Sequence, residues 1–202
     1  AYTYDRDMPE SMSFWSNYQL IQYANEAQNE FAERTYCFKD DTNFDLTVVA
    51  DAETVAYDER ILQIERAERL SDNYIMQVVT MEEFTTNAWI DDYGFKKSAS
   101  WKNVTGEPKY LINDSASNYL RYYPIPTEAD TIHLTVRRLP LYELDELTDD
   151  LEVPSRFQRS LLEGIKAQAY ATPMAVMNGF GDAAIIARQQ WEEVLSRAAK
   201  HY

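Results

Sequence analysis

Leu20, Ala24, Ala27 and Phe31 recur at i, i+4, i+7 and i+11, while Gln22, Glu26, Asn29 and Glu33 fall on the opposite side. That period predicts an amphipathic helix over about 15–36. Its start is marked by Ser16-Asn17-Tyr18-Gln19. This is a capping-box pattern, in which the serine hydroxyl accepts a free backbone N–H and the glutamine reaches back to the serine amide. At Asp40-Asp41-Thr42-Asn43 the chain turns, and the period drops to two. Phe44, Leu46 and Val48 alternate with Asp45 and Thr47; further strand-like runs lie at 55–57, 61–66 and 74–79. Met81-Glu82-Glu83-Phe84 opens a short predicted helix reaching Trp89, its acids at the positive end of the dipole. A polar loop over 91–108 follows, then a hairpin of 109–113 and 118–123 around residues 114–117. Ile132, Leu134 and Val136 alternate with His133, Thr135 and Arg137, the clearest strand pattern in the chain.

Residues 143–152 carry six acids in ten positions and no base, the composition of a solvated linker. Beyond it, Ser155 and Gln158 suggest a second capping box, with Phe157, Leu161 and Ile165 on one face, and Thr172-Pro173 ends that helix. Asp182 is the expected N-cap of a last helix running to Tyr202, with Ala184, Trp191, Leu195, Ala198 and Tyr202 on one stripe. Neither terminal helix can bury its stripe alone. The economical arrangement is an α+β fold: a small helical bundle formed by the N- and C-terminal helices, with an inserted antiparallel β domain. The expected divisions are an arm and helix at 1–42, a β-rich segment at 43–142, and the acidic linker with its helices at 143–202.

Composition narrows the function. With 45% hydrophobic and 26% charged residues over 202 positions, the chain has the makeup of a globular protein with a real core. No run of eighteen apolar residues is present to span a membrane, and the polar, acidic N-terminus lacks the apolar stretch of a secretion signal. Cys37 is the sole cysteine, read as a small core residue, and it fits a cytosolic origin. A formal net charge of -15 disfavours gripping DNA by its phosphates. The 15 tyrosines suit half-wet subunit contacts as well as strands.

Catalytic chemistry finds little support. His133 and His201 are the only histidines, and no Cys/His spacing suits zinc. No glycine-rich phosphate loop or nucleophile elbow is present. No catalytic, metal or cofactor residues are assigned, and no cofactor is expected. Trp15, Trp89 and Trp101 with the tyrosines could form a sugar platform, so a carbohydrate-binding or hydrolytic protein stands as the alternative reading.

Four segments carry a resemblance. They are Phe14-Trp15-Ser16-Asn17-Tyr18-Gln19 leading to Asn25-Glu26-Ala27-Gln28; Gly106-Glu107-Pro108-Lys109-Tyr110-Leu111; Leu120-Arg121-Tyr122-Tyr123-Pro124-Ile125-Pro126; and Leu134-Thr135-Val136-Arg137-Arg138-Leu139-Pro140-Leu141. Together with Glu152-Val153-Pro154-Ser155, the set resembles the head-to-tail adaptor, or connector, proteins of tailed bacteriophages, over roughly residues 14–200. One departure is the lack of a basic C-terminal tail. The resemblance implies a non-catalytic virion protein of the neck, made in the host cytoplasm. It implies a ring beneath the portal, typically of twelve copies, that extends the DNA channel and receives a tail or nozzle protein. DNA would pass through without tight binding. In that setting Glu143, Asp145, Glu146, Asp149, Asp150 and Glu152 are candidate channel-facing acids. Trp191, Leu195 and Tyr202 are candidates for the bundle core or for docking on the portal.

Overall fold

The structure, a computed structural model, describes residues 14–86, 101–116 and 118–202. The expected arm at 1–13, Trp89 with the first part of the loop from 91, and the hairpin tip at Ser117 lie outside the described residues. The chain divides into two compact units. One is formed by the segment ending at Phe38 together with Leu139–Tyr202, the other by Lys39–Arg138.

In the helical unit, α1 (Asn17–Thr35) begins with the expected capping box: Gln19 N donates to Ser16 Oγ at 3.3 Å and Ser16 N to Gln19 Oε1 at 3.0 Å. It ends at Tyr36 in the left-handed region, whose N–H donates to Ala32 O. The buried stripe of α1 holds Ala27 and Phe31 as predicted, and also Asn25, Gln28, Ala32 and Thr35. α3 (Ser155–Ala171) is the central helix, packing on both α1 and α5 (Gly181–Ala198). Between α3 and α5 lie a single turn, α4 (Pro173–Ala175), and a π-helical turn at Val176–Phe180, where Gly179 adopts φ 90°. Cys37 is buried in this core with Phe31, Phe157 and Trp191.

Three expectations for the C-terminal helices change. The second capping box does not form. Pro154 occupies the N-cap, Ser155 is already helical, and Gln158 Nε2 donates to Leu151 O at 3.2 Å instead. Asp182 is likewise no cap, because α5 starts one residue earlier at Gly181 and places Asp182 in its first turn, where the dipole favours it. α5 stops at Ala198, so Tyr202 lies beyond the helix.

The second unit is a curled eight-stranded sheet in the order β1-β8-β4-β5-β6-β7-β3, with β2 also on β8. Its strands are β1 (Lys39–Asp40), β2 (Asp45–Val48), β3 (Thr54–Ala56), β4 (Ile61–Arg69), β5 (Tyr74–Thr80), β6 (Tyr110–Ala116), β7 (Tyr119–Tyr123) and β8 (Asp130–Arg138). The alternation read on β8 is real: Ile132, Leu134 and Val136 are fully buried. β1 and β2 run along the same edge of β8, interrupted by the turn at Asp40. Burial by itself would raise the Asp40 pKa. Hydrogen bonds from Thr42 N, Asn43 and the Arg138 guanidinium outweigh it and hold the carboxyl well below its ordinary range.

The sheet is mixed, where an antiparallel one was expected. β5 and β6 pair in parallel, from Gln77 opposite Tyr110 to Thr80 opposite Asn113. A parallel pair needs a crossover of roughly a dozen residues or more, and the connection through α2 (Met81–Thr86) provides it. α2 starts with reciprocal bonds: Glu83 N donates to Thr80 Oγ1 at 3.1 Å and Thr80 N to Glu83 Oε2 at 2.8 Å. It buries Phe84 against Trp101, Tyr110 and Tyr123.

Candidate functional site

The His133–Asp45 pair and the Arg69 cluster make structural contacts. His133 Nδ1 and Asp45 Oδ1 lie 2.7 Å apart as an exposed cross-strand pair. Beside the β4–β5 turn lies a cleft of about 180 Å³ lined by Arg69, Asp72, Glu107 and Asp130 among others. Arg69 is buried there and already committed. Its Nε and Nη2 donate to Asp72 at 2.9 and 2.6 Å, Nη2 also to Glu107 at 3.1 Å, and Nη1 to Pro108 O. Its bond with Asp72 raises the guanidinium pKa further and lowers that of Asp72, so the group is a charged knot tying the β4–β5 turn to Glu107 and Pro108. Among the described residues, no group of three or more His, Cys, Asp or Glu could hold a metal ion. No described helix is long and apolar enough to cross a membrane.

The described tryptophans, Trp15, Trp101 and Trp191, are packing residues. Trp15 sits against Tyr170 and Phe180, and Trp101 against Phe84 and Tyr123. Trp191 is completely buried between the three helices, 6.1 Å from the Phe31 ring, and its Nε1 donates to Glu30 Oε2 at 2.9 Å. Leu195 is buried beside it in the same core. Tyr202 is 40% exposed at the chain end, its ring 5.1 Å from the Arg156 guanidinium.

The acidic run is exposed but held. Glu143, Asp145, Glu146, Asp149 and Asp150 face solvent; Glu152 is half-buried and accepts from Leu141 N at 2.6 Å. Asp149 Oδ2 accepts from the backbone N–H groups of Asp145 and Glu146, both at 2.8 Å, and those bonds lower its pKa. Two side chains of α1 grip the segment from below. Asn25 Nδ2 donates to Leu144 O at 3.0 Å while Leu144 N donates to Asn25 Oδ1 at 2.8 Å, and Glu152 N donates to Gln28 Oε1 at 3.1 Å. A run read as a solvated linker is therefore an ordered ledge carrying exposed carboxylates.

Asn25 and Gln28 were not singled out by periodicity, because they are polar positions on an otherwise apolar stripe. Their signal is membership of the Asn-Glu-Ala-Gln segment. Equally missed was the network joining α1 to α5. Arg188 donates to Glu30 through both terminal nitrogens, at 3.2 and 2.7 Å, and Nη2 also reaches Glu192 at 2.7 Å. Arg34 donates to the second Glu192 oxygen at 2.9 Å, which lowers the Glu192 pKa.

The other quoted segments are junctions too. The Gly-Glu-Pro and Tyr-Pro-Ile-Pro segments bond to each other: Gly106 N donates to Ile125 O and Ile125 N to Val104 O, both at 2.8 Å, and Lys109 N to Tyr123 O at 2.9 Å. Gly106 at φ 150° passes close to Pro124, which a Cβ would meet at 3.7 Å. In the Val-Arg-Arg segment, Arg137 donates to Glu65 and Arg138 to Asp40. A family model described as SU10 adaptor protein matches residues 3–202. No curated protein matches the chain.

Proposed function

This chain belongs to the SU10 adaptor protein family, and from that premise we propose that it is a structural head-to-tail adaptor of a tailed phage, working in the virion neck between portal and tail components. Copies of the chain, on the order of a dozen, form a ring beneath the portal that extends the DNA channel and receives a tail or nozzle protein. The observation that carries this reading is a match running nearly from end to end. The segments that resemble adaptors also act as the joints of both units, as a scaffold protein requires. Side chains that could suggest chemistry, such as Arg69 and the His133–Asp45 pair, are taken up in cross-strand and turn contacts. A net charge of -15 suits a conduit, because carboxylates repel phosphate and let DNA pass.

The test is the mass of the complex formed with a candidate portal. A many-copy addition, seen as a ring by electron microscopy, is expected. One or two copies per portal ring would sink the proposal.

A further inference from the structure

Most bases in the helices and strands are held in ion pairs, Arg34, Arg69, Arg138 and Arg188 among them. Arg156 and Arg159 on the first turns of α3, with Arg197 in the last turn of α5 and Lys200 just beyond it, are different. All four are exposed, and among the described residues none is in an ion pair. They share one end of the helical unit. The Arg156 guanidinium lies 5.0 Å from the Phe157 ring and 5.1 Å from Tyr202, and Phe157 packs near His201 at 6.2 Å. Four exposed cations without a carboxylate partner at this end, on a chain of net charge -15, mark a surface that attracts anions.

The complementary surface is on the same chain. The 142–150 ledge bears exposed carboxylates with no base among them, and it also exposes Tyr142 by 75% and Leu147 by 59%. Apolar groups that open to solvent are poorly suited to a wall past which DNA slides, but they suit a contact that is to be covered. Its order, through Asn25, Gln28 and Asp149, means that little conformational entropy is lost on docking. Within one chain, among the described residues, neither set is paired with the other.

We infer that the basic end of the helical unit docks on the acidic ledge of a second copy of this chain, with Tyr202 meeting Tyr142 and Leu147. Such a contact joins two different surfaces and is heterologous, the kind that closes into a ring when its rotation allows. The inference rests on the proposed self-assembly and gives the ledge a neighbouring copy to face in place of the channel.

Charge reversal tests it. Full-length labelled and unlabelled chains are mixed at high concentration and treated with a zero-length carbodiimide. Mass spectrometry then follows links from Lys200 of one copy to Asp145, Asp149 or Asp150 of another. Wild type should form them. Arg156→Glu/Arg159→Glu and Glu143→Lys/Glu146→Lys should each reduce them to background with unchanged melting temperatures, since all four positions are exposed. Mixing the two variants should restore them, from Lys200 of the second to the ledge of the first. Absence of such links in wild type, or their persistence in both variants, overturns the contact. So does duplex DNA binding that disappears in the Arg156→Glu/Arg159→Glu variant, which would assign the basic end to phosphate. A many-copy portal complex indifferent to both variants overturns this contact and leaves the adaptor reading standing. Wild-type links with only one or two copies on the portal do the reverse.

Discussion

A Cβ on Gly164 would lie 2.9 Å from Trp191 Cε2 and 3.0 Å from the Ala27 Cβ. Glycine in mid-helix costs about 1 kcal/mol relative to alanine, so its presence there needs a reason, and the indole is that reason. Trp191 fits between the three helices because α3 has no side chain at that point. Gly164→Ala should therefore destabilise the protein by about 1–3 kcal/mol through overpacking, against the gain in helix propensity. Trp191→Ala should cost about 3–5 kcal/mol and remove the donor to Glu30. In a Trp191→Phe background the smaller ring should make Gly164→Ala much less costly. A double-mutant cycle by chemical denaturation measures the coupling; strictly additive costs would contradict this picture. Trp191 stood out in the sequence as the largest apolar group on its stripe. Gly164 did not, because its partner comes from a different helix.

At the scale of elements, α1 has two tasks. Its apolar side builds the bundle, and its amides hold the acidic ledge. Asn25→Ala would remove both bonds to the Leu144 backbone, a loss of roughly 1–3 kcal/mol for partly buried groups. We expect hydrogen exchange at the Leu144 amide to speed up in Asn25→Ala, and at the Glu152 amide in Gln28→Ala, with α5 protection unchanged. Equal acceleration along α5 would mean that the amides support the bundle as a whole. Capping shows how local patterns succeed and fail. Ser16 and Gln19 form their box because Ser16 falls one residue before the first helical turn. Ser155 and Gln158 have the same spacing, but Pro154 takes the cap position and shifts the helix start by one residue. Thr80-Met81-Glu82-Glu83 satisfies the pattern as well, at a helix start recognised only from its acids.

For the whole molecule, charge is the property with the widest reach. With 19 basic against 34 acidic residues, and with Arg34, Arg69, Arg138 and Arg188 already in ion pairs, few cations remain for phosphates. The free chain should bind duplex DNA no better than about micromolar at physiological salt, the range of non-specific contact. Fluorescence anisotropy with a labelled duplex checks this; submicromolar affinity with a steep salt slope would contradict it.

The sequence by itself determined where the elements lie: α1, the alternating strand β8, α3 ending at Thr172-Pro173, and helices at both ends around a β-rich middle. Periodicity, caps and turns are properties of neighbours a few residues apart, so they can be read along the chain. Tertiary structure alone decided which elements meet and what polar side chains are for. The parallel β5–β6 pair depends on how a long crossover returns. The Asn25 clamp joins residues 119 positions apart, and the Glu30–Trp191 bond spans 161. Such partners have no signature in local spacing, because closing a long loop constrains chain entropy without favouring any particular sequence between its ends. The same holds for the charges: composition states how many there are, and only the fold decides which are neutralised within the chain and which are left for a neighbour.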